Sequence, residues 1–516
     1  MRVRQILRLI ASFMVCGLFL TSAACGDAAV SNTSAKADPD ASSHVEVFVP
    51  SDGITLTQNT PTNKWGGFAS AITDSLVEKG YSKDSITVVT NGSLKDQARA
   101  MADYVEDETE DEASSGKETT RDIVILAPAL TLDPAAKQFG DLLGDGTKDL
   151  SSSSDISAVL NEDEAEEQTE AEKSIAASAK TLRSRGTAFI LVARNLEDVT
   201  ADMFVKTSNA YQIGQLQANE LSVKLEIAEA TTSNPRRIEI VIPEESNETI
   251  SSDFFAGVWS VLGPYFKKGT VVSASGLLDS SSTKDSWRSV VVAASSADEV
   301  KQGFSSLLTK AAANQGATDD EDEGDSDTAV RLSGVIASND FIATQVTEVL
   351  TQKGYTGSAA DINPEITLGG IVGNMTGNAD LSRKKVPNPA KDEDASSSQE
   401  EDGTGSGQSA TKDADATRWP IVTGYGSYVN NVQLVVSGKQ WLTGLENRNG
   451  LASDIASACV RYAQGKKLAD PQNKQTVTLN GKKVPLITRN LVGVVSGNLK
   501  RSLIDTGYIS AANAGL

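Results

Sequence analysis

The sequence predicts an α/β chain built as two doubly wound parallel-sheet domains, and three observations predict it. Continuous apolar strand-like runs alternate with amphipathic helix-like stretches, the pattern of parallel sheets covered on both faces. The chain has 516 residues, longer than one ordinary compact core. It also carries more strand-like runs than one open sheet usually holds. An apolar content of 39% excludes collagen-like, coiled-coil and polytopic membrane chains.

The elements follow in order. Val45–Val49 is β-branched and alternating, a strand. Trp65–Lys79 has helical spacing and stops at Gly80. Ser85–Thr90 reads as a strand, Leu94–Val105 as a helix and Asp122–Ala127 as a continuous apolar strand. Ala188–Val192 is another strand, Asn209–Leu225 a helix and Arg237–Ile242 a strand. Phe254–Phe266 is a helix closed by Lys267–Gly269, followed by a strand at Thr270–Ser273 and a helix at Asp298–Ala313. Ser333–Ala337 is a strand, and Phe341–Lys353 a helix closed by Gly354. Ile421–Gly424 is a strand, followed by helices at Asn431–Ser437 and Leu451–Gly465.

The formal net charge is -22, but much of the acid sits in four tracts, Glu106–Glu112, Glu162–Glu172, Asp319–Asp327 and Asp392–Asp415. Rich in Ser, Glu, Asp, Gly and Thr, they are expected to be solvated, disordered surface inserts near 105–120, 160–173, 317–328 and 388–417. The rest of the body is near neutral, and no basic patch points to nucleic acid. Asp319–Asp327 lacks the closing glutamate of a calcium loop, because Val330 stands there.

At the N-terminus, Arg2, Arg4 and Arg8 precede an apolar run, Leu9–Leu20, too short for a stable span. Ser22, Ala23 and Ala24 then lead to Cys25. This order resembles a bacterial lipoprotein signal, with Ser22 where Leu is usual. The resemblance implies removal of residues 1–24, acylation of Cys25 and a flexible tether over 25–43. An ordinary signal peptide is the alternative. Cys16 leaves with the signal, so Cys459 has no partner and reads as a buried small apolar residue. The three cysteines make no disulfide framework.

Catalytic signatures are scarce. His44 is the single histidine, and no H-E-x-x-H, C-x-x-C or P-loop occurs. Gly403, Gly405 and Gly407 lie in a Ser/Gly-rich stretch without a preceding strand and read as linker. No acid pair sits in a specific glycosidase pattern. The sequence therefore argues against an enzyme and calls for no metal and no cofactor.

From about Val45 to Ile509 the chain resembles the sugar-binding proteins of bacterial ABC importers, in the xylose and multiple-sugar branch of the ribose-binding-like periplasmic family. Seven motifs carry it in the family's order. Lys64–Trp65 with Phe68 stands at the basic-aromatic opening of the first helix. Asn91–Gln97 with Asp122–Ala127 matches the segment ending "VIxP". Val192–Arg194 with Asn209–Ala218 matches "YDR…DN…G…QA", and Trp287 an aromatic after the strand Thr270–Ser273. Ala337–Asp340 with Phe341–Leu350 resembles "ANDxxAxGAxxAL". Val422–Leu442 resembles "VTGQDAExxAxxxIxxGxQ", and Lys483–Val492 the closing crossover.

The resemblance implies a three-crossing hinge between two lobes. They are expected at 44–205 plus 420–485 and at 206–419 plus 486–516, with crossings near Val205, Trp419 and Pro485. It implies a cleft in which Trp65 and Trp287 sandwich a sugar ring, while Lys64, Arg194 and Asn339 bond its polar rim. Each has a plainer reading beside it. The two tryptophans could be core or interdomain packing, Arg194 a surface ion-pair residue and Asn339 a turn residue. Asp340 reads as the N-cap before Phe341, Asn209 as a cap or hinge residue and Phe68 as packing.

Three departures bear on the ligand. Tyr425–Gly426 replaces the family's Gln-Asp pair, Glu446 replaces a lysine, and the Asp-Asn-Asn run has only Ser246–Glu248 near it. Tyr425, Glu446 and Glu248 are thus further candidates for ligand contact, with Asn247 beside Glu248. The chain is expected to be a monomeric, extracytoplasmic, lipid-anchored solute-binding protein that delivers a small polar ligand, foremost a sugar, to an ABC permease. The alternatives are a sensing or adaptor lipoprotein on the same fold, a secreted carbohydrate hydrolase and a structural envelope protein.

Overall fold

Thirteen of the fourteen strands described below fall into two seven- and six-stranded paths through separate sheets, with each path fed by helices from both faces. The computed structural model describes residues 43–52, 65–115, 121–130, 160–244, 248–315, 330–359 and 417–512. Residues 1–24, Cys25, most of the tether, Lys64, Asn247 and the acidic tracts at 319–327 and 392–415 lie outside the described residues. By their contacts, residues 38–516 form one unit.

The chain begins in the first lobe with β1 (Val45–Pro50), α1 (Trp65–Glu78), β2 (Ile86–Asn91), α2 (Leu94–Ser115), β3 (Ile123–Leu126), α3 (Glu162–Ser184), β4 (Ala188–Val192) and β5 (Met203–Lys206). It crosses to the second lobe for α4 (Ala210–Lys224), β6 (Arg236–Pro243), α5 (Glu248–Lys268), β7 (Val271–Ser273), β8 (Val291–Val292), α6 (Ala297–Asn314), β9 (Gly334–Ala337), α7 (Asp340–Gln352), β10 (Ile421–Tyr425), α8 (Asn431–Ser437) and β11 (Leu442–Leu445). It returns for α9 (Arg448–Ala463), β12 (Thr476–Leu479) and β13 (Lys482–Thr488), then ends in the second sheet with β14 (Val492–Val495).

The first sheet has the order β12-β13-β5-β4-β3-β1-β2, the second β14-β11-β10-β9-β6-β7, with β8 against β6. The central strands pair in parallel and are buried on both faces, as their continuous apolar runs require. The antiparallel pairs are β12 with β13 and β14 with β11. Cys459 is buried on α9, inside the cluster between α9, α1 and the first sheet.

Three expectations are corrected. Ile421–Tyr425 pairs with β9 and β11, so this stretch belongs to the second lobe. The second crossing is therefore at Glu446–Asn447, not near Trp419. The third lies between Thr488 and Val492, because β13 pairs with β5 through Thr488. The acidic tracts Glu106–Glu112 and Glu162–Glu172 are helix rather than loop.

The reason is charge placement across a helix pair. Lys95 at the start of α2 pairs with Glu167 near the start of α3. Arg185 at the end of α3 donates to Thr109 Oγ1 (2.6 Å) and Val105 O (3.4 Å). Each helix thus sets a basic end beside the other's acidic end. Asn161 and Glu164 form a capping box, and acids in the first turn of α3 suit the helix dipole.

One buried carboxyl makes stability depend on pH. Glu239 in β6 accepts from the Ser275 backbone and hydroxyl and from the Ser273 hydroxyl. Burial outweighs these donors and raises its pKa from 4.5 to about 7. The folded protein therefore holds this proton more tightly than the unfolded chain. That stabilisation is complete below the unfolded value and is lost as the pH rises through about 7. In thermal melts between about pH 5 and about pH 8, the parent protein is expected to lose stability relative to Glu239→Gln, by on the order of 3 kcal/mol at the alkaline end. A constant difference across that range contradicts this account.

Candidate functional site

In doubly wound sheets ligands sit beyond the strands' carboxyl ends, and here those ends lead into the three crossings. After β1, Asp52 accepts the Trp65 N–H at 2.7 Å and the Gly66 N–H at 2.8 Å, anchoring the first turn of α1. After β4, Ala193 takes a positive φ of 65° and leads to Arg194, which is buried. Asn209 ends the first crossing and caps α4 in a capping box with Gln212, the cap role expected of it.

Glu446 occupies the second crossing, directly after β11, and is wholly buried. Its Oε2 accepts the Ser208 N–H of the first crossing at 2.9 Å. Its Oε1 has no hydrogen-bond partner among the described residues. Burial raises the Glu446 pKa, opposed by hydrogen bonds from Ser208 and Asn447. The Arg448 N–H returns to the Glu446 carbonyl at 2.9 Å, and Asn447 sits at φ -81, ψ 58, so an inverse γ-turn makes this crossing. Asn447 then caps α9 through the Gly450 N–H at 3.0 Å.

The second lobe contributes a buried polar network. Asn339, not Asp340, is the N-cap of α7, with Oδ1 accepting the Ile342 N–H at 2.9 Å. Asp340 is instead a hub. Its carboxylate accepts from Gln440 Nε2 (2.6 Å), Thr443 Oγ1 (2.8 Å) and the Tyr428 N–H (3.0 Å). Asn431 Nδ2 donates to the Asp340 carbonyl and to Gln440 Oε1. Burial raises the Asp340 pKa to about 6 against these donors. The network ties the start of α7 to β11 and the loop after β10.

The tryptophans are placed apart. Trp65 is 3% exposed and packs with Phe68 in the cluster under α1 and α9. Trp287 is 8% exposed, belongs to the large apolar cluster that draws residues from both lobes and carries the Arg288 guanidinium 4.3 Å over its ring. Among the described residues no ring contact joins the two. Glu248 pairs with Arg288 in an exposed ion pair beside Trp287. Tyr425 stands opposite Gly444 on the neighbouring strand, two positions before Glu446.

Gly426 explains its own identity. It sits at φ +116°, and a Cβ there would collide with the Tyr428 ring. An aromatic ring thus fills the space into which a carboxylate at 426 would project. Ser208, Gln440, Thr443 and Tyr428 were not singled out from the sequence. The Glu446–Ser208 bond spans 238 residues, so no local pattern announces it.

Two doubly wound sheets joined by three chain crossings define a two-lobe α/β protein. No protein-family model matches the chain, and no curated protein matches it. Solved structures do. One is an ABC transporter solute-binding protein from Clostridium phytofermentans with bound β-D-glucose, 17% identical over 91% of this chain and 99% of that one, with a TM-score of 0.45. Another is a carbohydrate transporter solute-binding protein from Chloroflexus aurantiacus with D-glucose, 18% identical over 91% and 98%, with a TM-score of 0.45. A third is a sugar ABC transporter protein from Actinomyces odontolyticus, 11% identical over 90% and 99%, with a TM-score of 0.48.

Gly426→Asp is expected to destabilise the fold by about 2 kcal/mol or more in thermal melts, through backbone strain and overpacking against Tyr428. The double variant Gly426→Asp with Tyr428→Ala should relieve the overpacking part. A single variant as stable as the parent contradicts the crowding.

Proposed function

We propose that this chain is a lipid-anchored, extracytoplasmic solute-binding protein of an ABC import system. It takes a small polar ligand, a sugar, between its lobes and presents it to the permease. The observation that carries this reading is Glu446, a fully buried carboxylate at the second crossing with one oxygen unpartnered. A carboxylate accepting a hydroxyl at that point gains from any motion that brings a ligand into the crossing region. Arg194 at the end of β4, with Tyr425 on the strand beside β11, supplies further polar and flat surface.

The remaining assignments join the proposal. Lys64 directly precedes Trp65 in the sequence and would supply a cation to the rim. Trp65 is packed in the cluster of α1, α9 and the first sheet, Trp287 in the large apolar cluster, and Asn339 caps α7, so a ligand role for any of the three would need local repacking as well as lobe motion. Glu248 bears on the ligand through its Arg288 pair. Cys25 carries the acyl anchor, held by methylenes worth ~0.8 kcal/mol each. The protein works as a monomer. Among the described residues no helix is long and apolar enough to cross a membrane.

A second reading has its own observation. The Tyr428 ring at the Gly426 position removes room for a carboxylate there. This favours an adaptor or sensing lipoprotein with altered or lost sugar binding.

Calorimetry against a panel of aldopentoses, aldohexoses and short oligosaccharides separates the two. The transport reading expects heat with at least one sugar, and a loss of about tenfold or more in affinity for Glu446→Gln, the size of one charged hydrogen bond. No heat with any sugar supports the adaptor and overturns the transport reading.

A further inference from the structure

We infer that Arg448 and Asn449 of the first lobe, with Thr506–Tyr508 of the second, form an interlobe latch. The latch holds the hinge independently of any ligand. Arg448 and Asn449 open α9, which packs on α1 beneath the first sheet. The Thr506–Tyr508 segment follows Leu503 and precedes Ile509, both in the apolar cluster with Val432, Leu445 and Val494 of the second lobe. The two groups thus belong to different halves of the molecule.

Four contacts join them, and a fifth ties Tyr508 to Glu446. Asn449 Nδ2 donates to the Thr506 carbonyl at 2.6 Å, and the Arg448 guanidinium to the Gly507 carbonyl at 3.4 Å. The guanidinium carbon lies 4.1 Å from the Tyr508 ring centroid, within range of a cation–π contact. The Tyr508 hydroxyl donates to the Glu446 carbonyl at 2.9 Å and accepts from the Asn449 N–H at 3.4 Å.

The latch reaches both the crossing and the first turn of α1. Through the Glu446 carbonyl it meets the residue whose carboxylate holds Ser208 of the first crossing. On its other side Arg448 lies against Gly67 in the first turn of α1, where a Cβ would collide with the guanidinium. Trp65 starts that same turn, and Asp52, which anchors it, is a charged neighbour of Arg448. A buried arginine held by a ring, a carbonyl and a helix start has little freedom to follow a swinging lobe. The latch therefore fixes one hinge setting, and releasing it widens the range of lobe angles.

This inference uses the two-lobe layout of the proposed function but not the identity of its ligand. The test is a distance distribution by electron spin resonance in the full chain, without ligand. Spin labels are placed at the exposed Lys180→Cys on α3 and Lys310→Cys on α6, with Cys16 and Cys25 replaced by Ser and Cys459 retained in the core. Asn449→Ala and Tyr508→Ala are expected to shift and broaden the distribution. Tyr508→Phe keeps the ring under Arg448, loses the hydroxyl bonds and should give a smaller shift. Should Tyr508→Ala fail to fold, the other two variants decide. Distributions that superimpose on the parent for Asn449→Ala and Tyr508→Phe overturn the latch. A sugar panel without heat leaves this result untouched and removes only the transport reading.

Discussion

The hydrogen bond from the Ser208 N–H to the Glu446 carboxylate is the constraint on which the arrangement of the two lobes depends. It joins the first crossing to the second where both are buried. A charge in that position is costly unless its oxygens find donors. One oxygen accepts the Ser208 N–H, and the other makes no hydrogen bond among the described residues, although the Ser208 hydroxyl and the Asn447 N–H lie near the group. Burial raises the pKa of the group in response. A ligand hydroxyl offered to that oxygen would answer the deficit, which is why the crossing, rather than either lobe's interior, is the chemically poised part of the molecule.

Around this point the polar groups divide into two kinds. Asp340, Gln440, Thr443, Asn431 and the Tyr428 backbone satisfy one another and tie the start of α7 to the loop after β10 and to the first residues of β11. They are structural in the sense that their hydrogen bonds are spent inside the lobe. Glu446 has capacity left. The difference is one of partners, not residue type: two buried carboxylates lie within one region, and only one is fully met.

Much of the fold was legible in the sequence because its signals are local. The β-branched runs at Val45–Val49 and Ala188–Val192 became central strands, and the stops at Gly80 and Gly354 fall at glycines with positive φ. What was illegible depends on distant partners. Glu162–Glu172 reads as a solvated run until Lys95 and the Asn161 cap are beside it. Ile421–Gly424 was recognisable as a strand, but which sheet it joins is decided by β9 and β11. At the site, the Asn339–Asp340 pair was visible, yet the cap fell to the first residue and the second turned inward to groups about a hundred positions away. Gly426 stands out in the sequence as a departure, and only packing shows that Tyr428 fills its place.

The account holds that the two lobes close on a small polar guest at the crossing. Small-angle X-ray scattering of the full chain, with and without a saturating sugar identified by binding, tests this most directly. The radius of gyration should fall when the guest is bound. A guest that binds while the radius stays unchanged would contradict closure at the hinge.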